Sequence, residues 1–449
     1  MFAEHPVVDA GAATQGTTMA ENVGDAPGGP PSLPAAFWGS THSGGAQVPA
    51  GIPVSVWINR QRVARTQGIA HDGQSVYALD VPAGDGSRPG GQPGDEVRFR
   101  IGNLWAYETS IWMSGQVLQL ALTAPAFGTR FGDTQNWSTA PLFRNTSLDK
   151  FPRTLADVNG DGLADAIVID PTRGIKVSLA TGSGFADPVW WSRDKAFRKP
   201  SQNLYPRFFA DVNGDGLADA ILFHKSVGIK VALSNGNAFE APTWWNKAGA
   251  FCKESQDAYP RMLADVNGDG MADAILFHPT SGIKVALSNG SSFAWPVWWS
   301  RESAFYQESQ NAYPRMLADV NGDGMADAVL FHREEGIRVA LSRGDRFAPS
   351  TLWSQEMIFR QSSQDFAPRM LADVNGDARA DAIVFDPFGG VRVGTSNGAG
   401  FEPAQLWSGA FGWGSQELKP RDLGDVNGDG RGDAVGFNPD TGIEVALAQ

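Results

Sequence analysis

Residues 263–278 read LADVNGDGMADAILFH, and residues 317–332 repeat them as LADVNGDGMADAVLFH. Three aspartates and an asparagine fall within nine residues, directly before an apolar run. The same acidic motif begins at Asp157, Asp211, Asp265, Asp319, Asp373 and Asp425, with successive spacings of 54, 54, 54, 54 and 52. One supersecondary unit therefore occurs six times.

Each unit has the same grammar. A Pro-Arg pair (Pro260-Arg261 in the third copy) opens a short strand, MLADV, which runs into the acidic loop and then the apolar strand AILF. After a turn comes IKVALS, in which Ile283, Val285 and Leu287 share one face and Lys284, Ala286 and Ser288 the other. A Gly-containing turn, the segment FAWPVWWS and a looser stretch with a Phe and a Ser-Gln pair complete the unit. Four strands in a period of about 50 residues, radially repeated, is the pattern of a β-propeller blade. A solenoid of nine-residue calcium repeats has a far shorter period. The sixth unit stops at IEVALAQ without its last strand, and FGTRFGDTQNWST at 127–139 resembles the missing piece. The sequence thus predicts that an N-terminal strand completes the last blade and closes the ring, removing the open sheet edge.

The loop itself asks for a cation. Position 1 is Asp157, Asp211, Asp265, Asp319, Asp373 or Asp425; position 3 is Asn159, Asn213, Asn267, Asn321, Asn375 or Asn427; position 5 is Asp161, Asp215, Asp269, Asp323, Asp377 or Asp429. Position 9 is Asp165, Asp219, Asp273, Asp327, Asp381 or Asp433, and position 7 (Leu163, Leu217, Met271, Met325, Arg379 or Arg431) offers a backbone carbonyl. Alternate oxygens around a tight turn suit Ca²⁺, which takes six to eight oxygen ligands at roughly 2.3–2.6 Å. Without a cation, carboxylates so closely placed repel one another. Position 6 is glycine in five loops, as a positive φ requires, and Ala378 in the fifth, so the fifth of the six expected sites is the weakest. An EF-hand is excluded, because position 12 is Val168, Leu222, Leu276, Leu330, Val384 or Gly436, inside a strand pattern.

The arrangement DxNGDGxxD between two strands resembles the FG-GAP/VCBS repeats of integrin α-chain propellers and of mushroom and bacterial lectins built on the same repeat. That resemblance implies an all-β, calcium-binding propeller over about 300 residues. Six blades are counted here; relatives with seven make a seventh the alternative.

Residues 33–123 differ. The alternating runs VSVWIN, SVYALDV, EVRFRIG and VLQLALT, separated by Gly, Pro and Asp clusters, read as a small antiparallel β-sandwich, a spacer with no functional residue of its own. It resembles the immunoglobulin- or transthyretin-like modules of bacterial surface proteins. Residues 1–32 read as a flexible leader and 124–449 as the propeller. No signal-peptide core is visible in the leader, and the single cysteine, Cys252, excludes an intramolecular disulfide.

A formal charge of −13 argues against nucleic acid or an anionic membrane as partner, and no apolar run approaches the roughly 18 residues of a membrane span. Six divalent ions would offset nearly all of that charge.

Other repeated positions suggest roles. Arg153, Arg207, Arg261, Arg315, Arg369 and Arg421 precede the first strands, as an inter-blade hydrogen-bond ladder or, alternatively, an anion site in the channel. Trp137, Trp191, Trp245, Trp299, Trp353 and Trp407 recur in every unit, as packing between blades requires. The position before them varies and includes Trp190, Trp244 and Trp298, candidate platforms for the apolar face of a sugar; His224, His278 and His332 share a turn position and are candidate ligand hydrogen-bonders. The bland readings are edge packing and turn formation. The tripeptide Arg431-Gly432-Asp433 reads as accidental, because Asp433 is a loop ligand. No nucleophile–base constellation is assembled by the remaining residues. The expectation is a non-catalytic, secreted or cell-surface calcium propeller binding a glycan as a multivalent lectin or adhesin, with a protein-interaction or structural surface module as the alternative.

Overall fold

A computed structural model describes residues 32–84 and 89–449; the stretch read as a leader lies, but for Ser32, outside the described residues. The described residues are all-β apart from four short 3₁₀ turns. Among the described residues there are seven four-stranded antiparallel sheets, and six of them are the repeated units. In the first blade the strands Arg153–Ala156, Asp165–Asp170, Gly174–Ser178 and Val189–Ser192 pair in chain order. The second strand is buried throughout, as its unbroken apolar run demands, and the third is buried except at Lys176.

The ring closes as the sequence predicts. Gln135–Ser138 pairs with Gly442–Ala446, so the sixth blade takes its outer strand from the N-terminal side of the ring. Asp422 adds a side-chain clasp across the seam, accepting from Thr154 Oγ1 at 2.8 Å and from the Leu155 N–H at 3.0 Å.

Blades hold one another through aromatic pairs. Trp191 packs on Phe239 of the next blade (5.4 Å), Trp245 on Phe293 (5.5 Å) and Trp407, across the seam, on Phe131 (5.4 Å). A backbone bond accompanies each, Phe239 N–H to Trp191 O at 3.0 Å being one. The tryptophan recurs because every junction needs the same large, flat filler.

The seventh four-stranded sheet is not a blade. Its strands Gln61–Gln67, Pro53–Ile58, Glu96–Ile101 and Leu104–Ile111 face a second sheet built on Ala35–Ser43 and Gln74–Val81. One hydrophobic cluster spanning Ala35 to Ala124 fills the space between them, including Phe37, Phe99 and Trp112. The expectation of a purely antiparallel sandwich is corrected here. Ala35–Ser43 pairs in parallel with both Val117–Gln119 and Leu122–Ala124, because the chain crosses back from the other sheet before forming them.

Candidate functional site: acidic loops and aromatic clusters on opposite faces

Each inner strand begins at its arginine and ends at its acidic loop, so the six loops gather at one end of the axis. Inside a loop the hydrogen bonds repeat. Asp157 accepts from the Gly160 N–H at 2.7 Å and the Gly162 N–H at 2.9 Å, Asn159 from Asp161 N–H at 3.1 Å, and Asp161 from Leu163 N–H at 2.9 Å. The ninth-position Asp165 is fully buried and accepts from the Val158 N–H (3.1 Å) and, fifteen residues on, the Ala180 N–H (2.8 Å). The other five blades make the same pair of bonds to Asp219, Asp273, Asp327, Asp381 and Asp433. Neighbouring loops are also tied: Ala218 N–H donates to Asp157 O at 2.8 Å, and Ala164 N–H to Asp425 O at 2.7 Å closes the circle. The sixth position has φ of 84° to 91° at its five glycines and 65° at Ala378. Asp433 of the Arg-Gly-Asp tripeptide is fully buried, so that sequence is not on offer to a receptor.

The electrostatics of the loops are those of carboxylates short of a counter-charge. Burial, followed by the neighbouring loop aspartates, pushes Asp165, Asp219 and Asp273 up to about 7 and Asp327 and Asp433 up to about 8. Among the described residues no three acidic or histidine side chains already converge as a finished metal cage, since the carboxylates are turned onto backbone N–H groups. The donor chemistry nevertheless fits a hard divalent ion. An oxygen that accepts one N–H keeps a second lone pair, and the loops supply only oxygen ligands.

The sandwich sits on three of the loops. Arg65 donates to Gly322 O at 2.5 Å and lies 3.7 Å from Asp319 in the fourth loop. Asn103 donates through its side chain to Asp373 (2.9 Å) and through its backbone to Gly376 O (2.8 Å) in the fifth. Arg431 pairs with Asp429 at 3.2 Å in the sixth and reaches the carbonyl of Ala126. The sandwich is therefore more than a spacer. Arg65 escaped the sequence reading because no motif marks it; the one signal was the charge density of QRVAR in an otherwise apolar pattern.

At the opposite end of the axis the predicted arginine ladder is present at three of its six positions, Arg261, Arg315 and Arg369, whereas Arg153, Arg207 and Arg421 bond only within their own stretch of chain. Arg261 binds Gln256 Oε1 and Lys253 O and reaches across to Asn203 O of the preceding blade at 3.5 Å, and Arg315 and Arg369 reach Asp257 O and Asn311 O at 3.4 Å. The guanidinium groups are buried behind the channel mouth, a cavity of about 360 Å³ whose lining includes Asp149, Asp257, Asp365 and Glu417. These carboxylates, not arginines, face the channel, which argues against the anion site offered as the alternative. They tie blade to blade as well, Asp149 accepting from the Asn203 N–H at 2.9 Å and Asp257 from the Asn311 N–H at 2.8 Å.

On this same face the structure brings together part of the predicted ligand set. His224 lies against Trp244 (6.0 Å) and Tyr205 (5.2 Å), and His278 against Trp298 (6.1 Å) and Tyr259 (5.2 Å). The lysine opposite each indole in the neighbouring strand lies over it: Lys230 over Trp244 at 4.9 Å and Lys284 over Trp298 at 4.6 Å. His332 meets Tyr313 (5.0 Å), but Leu352 stands where the tryptophan would be. Trp190 has Lys176 over its ring at 4.9 Å, with Asp170 in the histidine's place. The indoles are half-buried and cation-covered rather than flat and open, and complete clusters form in two blades rather than six. Tyr205, Tyr259 and the lysines were missed, although the lysines occupy the outward face of the clean alternation in IKVALS.

With this geometry in hand, comparison with known proteins is direct. An FG-GAP-like repeat matches residues 319–384. Over those residues the chain resembles an FG-GAP-like repeat. A lectin of Agrocybe aegerita that specifically recognises non-reducing terminal N-acetylglucosamine is similar at 28% identity and a TM-score of 0.53, over 65% of this chain and 75% of that one. A Photorhabdus luminescens Tc holotoxin pore shares the fold alone, at 16% identity and a TM-score of 0.51, over 87% of this chain and 17% of that one. No curated protein sequence matches this chain significantly. Among its described residues no helix is long and apolar enough to cross a membrane.

Proposed function

We propose that this protein is a non-catalytic carbohydrate-binding propeller, stabilised by Ca²⁺ in its acidic loops and working outside the cell. The observation that carries the reading is the recurrence of one His–Trp–Tyr cluster at the same position of the second and third blades, in a fold similar to that of a lectin. An indole edge and a neighbouring imidazole suit a sugar's apolar face and hydroxyls. Two equivalent sites on adjacent blades favour avidity for a repetitive glycan.

The calcium assignment draws on six loops of identical oxygen spacing and on their raised carboxyl pKa values. The ligands would be the position 1, 3, 5 and 9 side chains and the position 7 carbonyl of each loop. Millimolar extracellular calcium would fill such sites, which is why a secreted or surface location is favoured.

A glycan array run in calcium and again in chelator tests the reading. Binding lost in a Trp244→Ala/Trp298→Ala double variant that still melts cooperatively supports it. If no sugar is retained in either condition, a protein-interaction module of a surface protein becomes the better account.

A further inference from the structure

The clusters in blades two and three concentrate positive charge in a protein of net charge −13. Around His224 stand Lys199, 5.1 Å over Tyr205, Lys225 at 6.0 Å from the same ring, and Lys230 over Trp244. Around His278 stand Lys253, 4.7 Å over Tyr259, Lys284 over Trp298, and Arg301, 4.7 Å from that indole. Among the described residues none of these six cations has a carboxylate within salt-bridge distance. Burial and the surrounding lysines both hold His224 and His278 below the ordinary imidazole value, with no carboxylate opposing them.

The fourth blade supplies the contrast. Its equivalent cation, Arg338, is paired with Glu335 at 2.6 Å, Arg333 lies 3.8 Å from Glu334, and Leu352 replaces the indole. Lys176 of the first blade and Arg392 of the fifth are also without an ion pair, but an uncompensated cation and a complete aromatic cluster coincide only in blades two and three among the described residues.

We propose that the clusters of blades two and three take an acidic saccharide, a sugar bearing a carboxylate or a sulfate. The proposal rests on the carbohydrate-binding reading and specifies its ligand class. A neutral sugar presents hydroxyl groups that need acceptors as well as donors, whereas an ammonium has three donors and no acceptor. A lysine beside an indole instead matches an anionic substituent next to an apolar ring face. The adjacent-blade repetition matches successive charged units of one chain.

The test uses the full chain in calcium. Calorimetric titrations compare sialyllactose with lactose, and a sulfated heparin hexasaccharide with its desulfated, carboxyl-reduced counterpart, each at low and at high sodium chloride. The expected result is at least a tenfold preference for one acidic member over its neutral partner, a loss of affinity at high salt, and a loss of that preference in Lys230→Gln/Lys284→Gln. Which pair shows the preference identifies the anion as carboxylate or sulfate. Arg338→Gln, in the paired blade, leaves affinity unchanged. Equal, salt-insensitive affinity for acidic and neutral sugars overturns the acidic specificity while leaving carbohydrate binding in place. Failure of every sugar to bind, or binding to phosphatidylserine vesicles without any saccharide binding, overturns the inference together with the reading beneath it.

Discussion

The first three acidic loops and the last three are spelled almost alike and make the same internal hydrogen bonds, yet they live in different surroundings. Asp161, Asp215 and Asp269 are exposed, while Asp323 and Asp429 are half-buried and Asp377 is buried, because the sandwich and the chain leaving it lie over loops four to six. Those covered loops also receive arginines: Arg65 from the sandwich, and Arg379 and Arg431 at their own seventh positions, where the open loops have Leu163, Leu217 and Met271. A nine-residue motif therefore dictates its own turn, whereas the cost of its charge is set by what is packed above it. Burial raises Asp373 to about 8 and, with Asp373 and Asp377 beside it, lifts Asp381 well above the ordinary carboxylate value.

The bluntest way to break this comparison is to remove the metal. On the calcium reading, EDTA lowers the melting temperature, because each filled site adds about 2.7 kcal/mol at an ion concentration a hundred times its Kd. Identical melting curves with and without EDTA would end that reading. The chelated protein should also respond to pH. Its buried aspartates bind protons more tightly folded than unfolded, so stability falls as pH rises from about 4 through about 8. Melting in EDTA at pH 5 and at pH 8 checks the sign, and saturating Ca²⁺ should flatten the difference.

Next in size is the ninth-position aspartate. Asp219→Ala strands two buried backbone donors, at about 1–3 kcal/mol each, and denaturant titration of the variant measures the loss. Arg65→Gln sharpens the contrast between loop classes. It removes the cation seated on the fourth loop, costs about 1–3 kcal/mol as a charged hydrogen bond is lost, and should tighten Ca²⁺ binding at that loop in equilibrium dialysis. An unchanged affinity would show that Arg65 does not oppose metal there. The smallest effect belongs to Ala378→Gly. Relief of a left-handed β-carbon, about 1–2 kcal/mol, is partly offset by the entropy of glycine, about 0.4–1 kcal/mol, so a rise of a degree or two in melting temperature is expected.

Much of the architecture was legible beforehand because a period of 54 residues reports one unit copied, and copied units must bury identical faces against one another. The closing strand was legible for the same reason, its Phe131 and Trp137 occupying the places left vacant in the sixth unit. The sandwich was read less well. Its strand Ala35–Ser43, rich in small residues, carries little apolar alternation, and its parallel pairing depends on a chain crossing that no local pattern encodes.

The ligand clusters fall between these cases. His224 and Trp244 were each visible as repeat positions, but Tyr205 lies in the bend before the inner strand and Lys230 in the third strand, and nothing in their spacing announces a shared site.

By itself, then, the sequence determined the blade, the number of its copies, the closure of the ring and the turn of every acidic loop, since each follows from periodicity and local backbone chemistry. Tertiary structure alone decided which loops lie open and which lie under arginines, and which blades assemble a full aromatic cluster. Both depend on side chains far apart in the chain, whose meeting is governed by how the sheets pack.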